Sequence, residues 1–184
     1  MWAPGLAIGA GRVYRPPRTR APDGCGHHLA LLSAPMRRFV AAGFGTGLIP
    51  NRLYGSHSGA GTFGAAVAVL IGIPLIPAPW WIDALVAAAA IGVSLWAAAP
   101  FAVDGQDPGW VAIDEVAGTL VAMIGLGGWP WVAAVAVARL LDIFKVAPGI
   151  RRAEDLHGAL GVTLDDVVAG LYGFAVGYLL SGII

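Results

Sequence analysis

The chain has 184 residues, of which 58% are hydrophobic and 12% charged, with 27 glycines and a formal net charge of zero. Soluble domains carry about 45–50% apolar residues even with glycine counted, so a globule this small cannot hide the surplus and lipid is its expected solvent. The neutral balance argues against a nucleic-acid partner, and the lone Cys25 excludes an internal disulfide framework or a cysteine-rich zinc site.

Residues 1–35 are rich in Pro, Gly and Arg and lack a sustained period. They read as a disordered tail, or as sequence ahead of a start at Met36. Their arginines follow a weak apolar stretch, the reverse of a secretory signal. Residues 36–184 read as a single domain. It opens on a glycine-rich polar segment, GFGTGLIPNRLYGSHSGAGT, at 43–62. Gly43, Gly45 and Gly47 there suit either an anion-cradling loop or ordinary turns. Thr46 and Thr62 offer hydroxyls to a phosphate or to the shell of a metal.

Uncharged runs follow at 63–81 and 84–103, with Asp83 between them. A third run, 116–138, holds GLGGWPW at its centre, which predicts a turn and therefore two short helices in a hairpin. The last run is 167–184. Since a span needs about 20 apolar residues, the expected fold class is all-α: a polytopic membrane helical bundle. It has about five membrane-embedded helices and re-entrant or interfacial loops on one side. Five crossings bring 43–62, 104–115 and 139–166 to one face, together with Arg37, Arg38, Arg139, Lys145, Arg151 and Arg152. The positive-inside rule makes that face cytoplasmic.

Three groups of ionisable residues lie on this face. Asp107 accompanies Asp114 and Glu115 in IDEVAG; Arg139, Asp142 and Lys145 recur at i, i+3, i+6 in RLLDIFK; His157 precedes Asp165 and Asp166 in HGALGVTLDDVVAG. Each has an ordinary explanation. An acidic pair at a helix start caps free N–H groups, and the basic–acidic series makes a salt-bridge ladder. Yet ionisable groups at the edge of a membrane are costly and commonly serve a site. Two acidic pairs and a further Asp make an oxygen-rich cage suited to Mg²⁺, with Arg and Lys to balance a bound phosphate. In the last run, the Gly173–Gly177 spacing reads as helix packing.

Taken together, GFGTGLIP, GAGTFG, DPGWVAIDEVAG and RLLDIFKVAPGI…HGALGVTLDDVVAG resemble the phosphatidylglycerophosphatase A family, in its order and approximate spacing. The resemblance covers most of residues 39–184. It implies an integral enzyme of the bacterial inner membrane, multi-pass and with its active site facing the cytoplasm. Such an enzyme would use Mg²⁺ to hydrolyse phosphatidylglycerophosphate to phosphatidylglycerol. By position, Asp114, Glu115, Arg139, Asp142, Lys145, His157, Asp165 and Asp166 match the family's motif residues.

The chemistry then suggests roles. Asp114, Glu115, Asp165 and Asp166 would hold the ion, Arg139 and Lys145 would neutralise phosphoryl charge, and Asp142 or His157 would move the proton. There are departures from the family pattern: Gly59-Ala60-Gly61-Thr62 replaces Ala-Pro-Gly-Thr, extra residues around NRLYGSHS precede it, Val146 replaces a Pro, Ala159 a Gly and Ala153 an Asp. The rival reading is a small transporter or structural membrane protein whose acids form an ion path. Such a path would place acids near mid-membrane, often within an internal repeat.

Overall fold

In a computed structural model, residues 26–102 and 108–182 are described; Asp107 lies outside them. Every regular element among the described residues is helical, as expected. The elements are α1 (Gly26–Ala41), α2 (Ile49–Tyr54), α3 (Ala60–Gly72), α4 (Trp80–Ala98), α5 (Ile113–Ala122), α6 (Gly128–Phe144), α7 (Ile150–Glu154) and α8 (Ala159–Ser181). Short 3₁₀ turns precede α2 and extend α3 to Leu75. Helix α1 begins before Met36, inside the segment read as a tail.

Two boundaries differ from expectation. The break between the first two apolar runs falls at 76–79 rather than at Asp83. Pro74, Pro77 and Pro79 remove successive backbone donors there, and extended Pro79 starts α4 (φ −61°, ψ 141°). Asp83 therefore sits in the first turn of α4, where a negative charge complements the helix dipole. Helix α6 runs on to Phe144, so the Arg139–Asp142 turn is helical, as its i, i+3 spacing implies. Helix α8 starts at Ala159, well before the last apolar run. The Gly-rich turn after Met123 does split the third run into α5 and α6.

Side-chain contacts give the helix directions. Asp83 at the start of α4 accepts a hydrogen bond from Gly125 N–H (2.9 Å) in the α5–α6 turn. At the other end of α4, Ser94 shares a buried 2.8 Å hydrogen bond with Thr163 near the start of α8. One end of the bundle thus gathers the starts of α3, α5 and α8 with the ends of α4 and α6. The opposite end holds the proline turn and the α5–α6 turn.

Two helices, Trp80–Ala98 and Ala159–Ser181, are long and apolar enough to cross a membrane, and Ala60–Leu75 is a shorter apolar helix. Helix α5 has ten residues, a rise of about 15 Å. All but Glu115 are buried, because α3, α4, α6 and α8 pack around it. A helix buried on nearly every side belongs inside a bundle, so α5 needs no outward-facing length.

Helix α8 packs most extensively on α5 and α6. Its small residues permit the approach: a side chain on Gly170 would collide with the Gly118 carbonyl of α5. Side chains on Gly173 and Gly177 would come within 2.8 Å of Ala138 Cβ and Ala134 Cβ in α6. The packing role read for this glycine stripe is what the structure shows. Apolar Trp80, Leu85, Val132, Leu171 and Leu179 remain exposed on the outer faces.

Candidate active site

The charged residues converge at the end of the bundle where α5 starts and α6 stops. Carboxylate oxygens of Asp114, Glu115 and Asp166 lie within 4.8 Å of one another. Asp114 and Asp166 are 2% and 7% exposed. No helix carries three such acids; α5 supplies two and α8 the third. Asp114 Oδ1 accepts the N–H of Glu115 (3.0 Å), which aims the pair in fixed directions. Glu115 Oε2 is buried and has no hydrogen-bond partner. An orphaned buried carboxylate oxygen is costly. Together with a hard, all-oxygen donor set, it fits a divalent cation such as Mg²⁺.

Asp165 and Asp166 do not cap α8. The helix has no acid in its first turn, and the pair lies buried in the second and third turns, level with the start of α5. Adjacent residues point about 100° apart around a helix, so the two carboxylates part company. Asp166 joins Asp114 and Glu115. Asp165 meets Lys145, whose Nζ lies 3.0 Å from its Oδ2 and 2.6 Å from Glu154 Oε1. Burial disfavours the Lys145 ammonium, but hydrogen bonds to Glu154 and Asp165 and their charges outweigh it, holding its pKa above the usual lysine range. Lys145 is also one of two non-glycine residues with positive φ (47°) among the described residues; it ends α6 and turns back toward α8.

Arg139 links the groups. Its Nη1 is 2.8 Å from Asp142 Oδ2 and 3.8 Å from Asp166 Oδ1. Asp142 lies close enough to Glu115, Asp165 and Asp166 for their charges to repel. The ladder expected for Arg139, Asp142 and Lys145 is only half formed, since Lys145 pairs across to α8.

An open cleft of about 360 Å³ adjoins this cluster, walled by Gly61 and Thr62 at the start of α3, by Glu115 and Arg139, and by His57 and Ile143. The first N–H groups of a helix have no intrahelical partner and favour anions. Gly61 leaves room for the ends of two site side chains. A side chain there would strike Glu115 Oε1 and Arg139 Nη2. Gly61→Ala should therefore cut phosphate release by about tenfold or more by displacing the arginine, a loss of the size expected for a misplaced polar group. Gly59→Ala, where the added methyl meets nothing, isolates the cost of a positive-φ backbone as a control.

The other expected residues fall as follows. Thr62 lines the cleft. Thr46 instead donates its hydroxyl to Gly43 O (2.7 Å) and closes its own turn against Ala112. His157 is exposed in the α7–α8 turn and does not line the cleft. His57 does, from inside the extra segment NRLYGSHS and outside the sequence motifs. Its signal was a histidine four residues ahead of Gly61.

The sequence model of the phosphatidylglycerophosphatase A family matches residues 39–181. The chain belongs to this family. A phosphatidylglycerophosphatase A of Escherichia coli is 30% identical over 147 residues, 77% of this chain and 81% of its own length. One from Haemophilus influenzae is 29% identical over 143 residues, 74% and 83%. A Bacteroides thetaiotaomicron protein, whose name proposes a phosphatidylinositol-3-phosphatase, is 33% identical over 146 residues, 73% and 87%. No solved structure matches the chain. As a member of a phosphatidylglycerophosphatase family, the chain is an enzyme of the phosphatase class.

Proposed function

We propose that the chain is a Mg²⁺-dependent lipid phosphatase that releases the terminal phosphate of phosphatidylglycerophosphate. The observation that carries this reading is the junction of Asp114, Glu115 and Asp166 with Arg139 on the wall of one cleft. The names of the relatives supply the substrate class. All describe glycerophospholipids in which a phosphomonoester stands beyond a phosphodiester, and two of the three specify phosphatidylglycerophosphate.

In this reading the monoester lies in the cleft, held by the Arg139 guanidinium, the free N–H groups of Gly61 and Thr62, and the Thr62 hydroxyl. Asp114, Glu115 and Asp166 would hold Mg²⁺, which when bound polarises the phosphoryl oxygens and offsets the negative charge of the site. Asp142 keeps Arg139 in place and is the carboxylate next to the cluster that takes the proton of the attacking water. Water adds to phosphorus, the bond from phosphorus to the glycerol oxygen breaks, and that oxygen leaves with a proton from His57. The products are phosphatidylglycerol and inorganic phosphate. Lys145 acts at one remove, by fixing Asp165 and the end of α6.

The membrane arrangement belongs to the same proposal: α3, α4, α5, α6 and α8 are embedded in the bacterial inner membrane in alternating directions, with the cleft facing the cytoplasm. In a Cys25→Ser background, single cysteines at exposed Ser56 and Asp155 should label from the cytoplasmic side, and one at exposed Trp129 from the other. Ser56 and Asp155 labelling from opposite sides would overturn it.

The activity itself is tested on the full chain in neutral detergent micelles. Phosphate release from phosphatidylglycerophosphate should require Mg²⁺, cease with chelator, and fall by about a hundredfold or more in Arg139→Gln. Absence of release from any phosphomonoester lipid would end the proposal.

A further inference from the structure

A second cavity, of about 500 Å³, is formed by the loop after α6 and by α7, with walls that include Lys145, Val146, Pro148, Gly149, Arg151 and Arg152. It shares no wall residue with the Gly61 cleft. Side chains connect the two: Lys145 meets Asp165, and the next residue, Asp166, meets Arg139. The loop is fixed rather than loose. Tyr172 of α8 donates its hydroxyl to Pro148 O (3.0 Å), and Ile150 at the start of α7 is fully buried.

The charges in this cavity are not equivalent. The Lys145 ammonium is already balanced by Glu154 and Asp165. Arg151 and Arg152 are exposed and make no ion pair among the described residues. Val146, on the same cavity wall, is 71% exposed, and Phe144, which precedes Lys145 in the chain, is 63% exposed. Two uncommitted guanidinium groups beside an apolar rim match one chemical pattern: an anionic phosphate ester whose acyl chains continue into the bilayer.

Resting on the lipid-phosphatase reading above, we propose that Arg151 and Arg152 bind the phosphodiester of the substrate while its monoester occupies the Gly61 cleft. The enzyme then recognises a lipid by its two phosphates, and the spacer between them matters less. This accounts for relatives whose names carry different spacers, glycerol and inositol, on the same phosphate pattern. A lipid with a lone phosphomonoester, phosphatidic acid, would fill the cleft and leave the arginine pair unused. The occupant is the substrate's own diester and not the surrounding anionic lipid.

The test compares kcat/KM for phosphatidylglycerophosphate and for phosphatidic acid, both as dilute guests in neutral detergent micelles with Mg²⁺. The wild-type chain should prefer the former. In R151Q/R152Q the ratio of the two constants should fall about tenfold or more, mainly through KM for the two-phosphate lipid. R151K/R152K should keep part of the preference, since it keeps the charge. The single variants R151Q and R152Q give the same readout should the double variant fold poorly, and a ratio is insensitive to the fraction folded. An unchanged ratio overturns the proposal, as does a wild-type chain with no preference. A ratio that falls only when anionic lipid is added also overturns it, because the pair then binds the bilayer. A wild-type chain that hydrolyses neither lipid sinks the phosphatase reading instead.

Discussion

Asp166→Asn is expected to lower phosphate release by more than about a hundredfold, whereas Asp165→Asn should cost about tenfold to a hundredfold, the range for residues that orient a ligand without touching it. The neighbours set this ranking. Asp166 shares its space with Asp114 and Glu115, while Asp165 is spent on Lys145. A second readout does not depend on turnover. Without Mg²⁺, Asp166→Asn removes one of several crowded negative charges and should leave the melting temperature unchanged or raised. An ion that binds only the folded state stabilises it by mass action, so Mg²⁺ should raise the melting temperature of the wild-type chain and of Asp165→Asn, but not of Asp166→Asn. Equal losses of activity in the two variants, with equal Mg²⁺ responses, would remove Asp166 from the ion site.

Gly118→Ala should lower both stability and turnover. The added carbon would meet the backbone carbonyl of Asp166 and approach within 2.9 Å of its Cβ. Neither helix can yield locally, because Gly170 presses on Gly118 from one turn further along α8. Overpacking of this kind costs about 1–3 kcal/mol, and here the strain falls on the turn that carries Asp166. Thermal unfolding in detergent should show a lower melting temperature, and the protein that remains folded should have lost activity. Gly92→Ala in α4 is the matched control. Its added methyl meets nothing, and exchanging glycine for alanine inside a helix should be neutral or stabilising by up to about 1 kcal/mol. A Gly118→Ala enzyme with normal stability and turnover would show that α5 and α8 can separate without harm to the site.

The sequence alone determined the class of fold and the inventory of chemistry. Long uncharged runs dictate helices because a backbone in lipid must satisfy its own hydrogen bonds. The cluster of Gly, Pro and Trp dictates the hairpin because it cannot continue a helix there. The acids, arginines and Gly61-Thr62 are legible as motifs because their spacing survives in one dimension. Boundaries are legible only in part: hydropathy sees where charge stops, so it starts the last run after Asp166, although buried partners carry α8 back to Ala159.

The division of labour among the charged residues was decided only by tertiary structure. Asp165 and Asp166 are indistinguishable by position in the chain; they separate because a helix turns about 100° between them and presents one to α5 and the other to the end of α6. Lys145 reads as a phosphate ligand in sequence, yet its left-handed backbone directs it to two carboxylates. His57 and His157 exchange places for a similar reason. A loop's position in space follows from what its ends pack against, so the histidine of the extra segment arrives on the wall of the cleft that Arg139 also lines, while the motif histidine stays outside it.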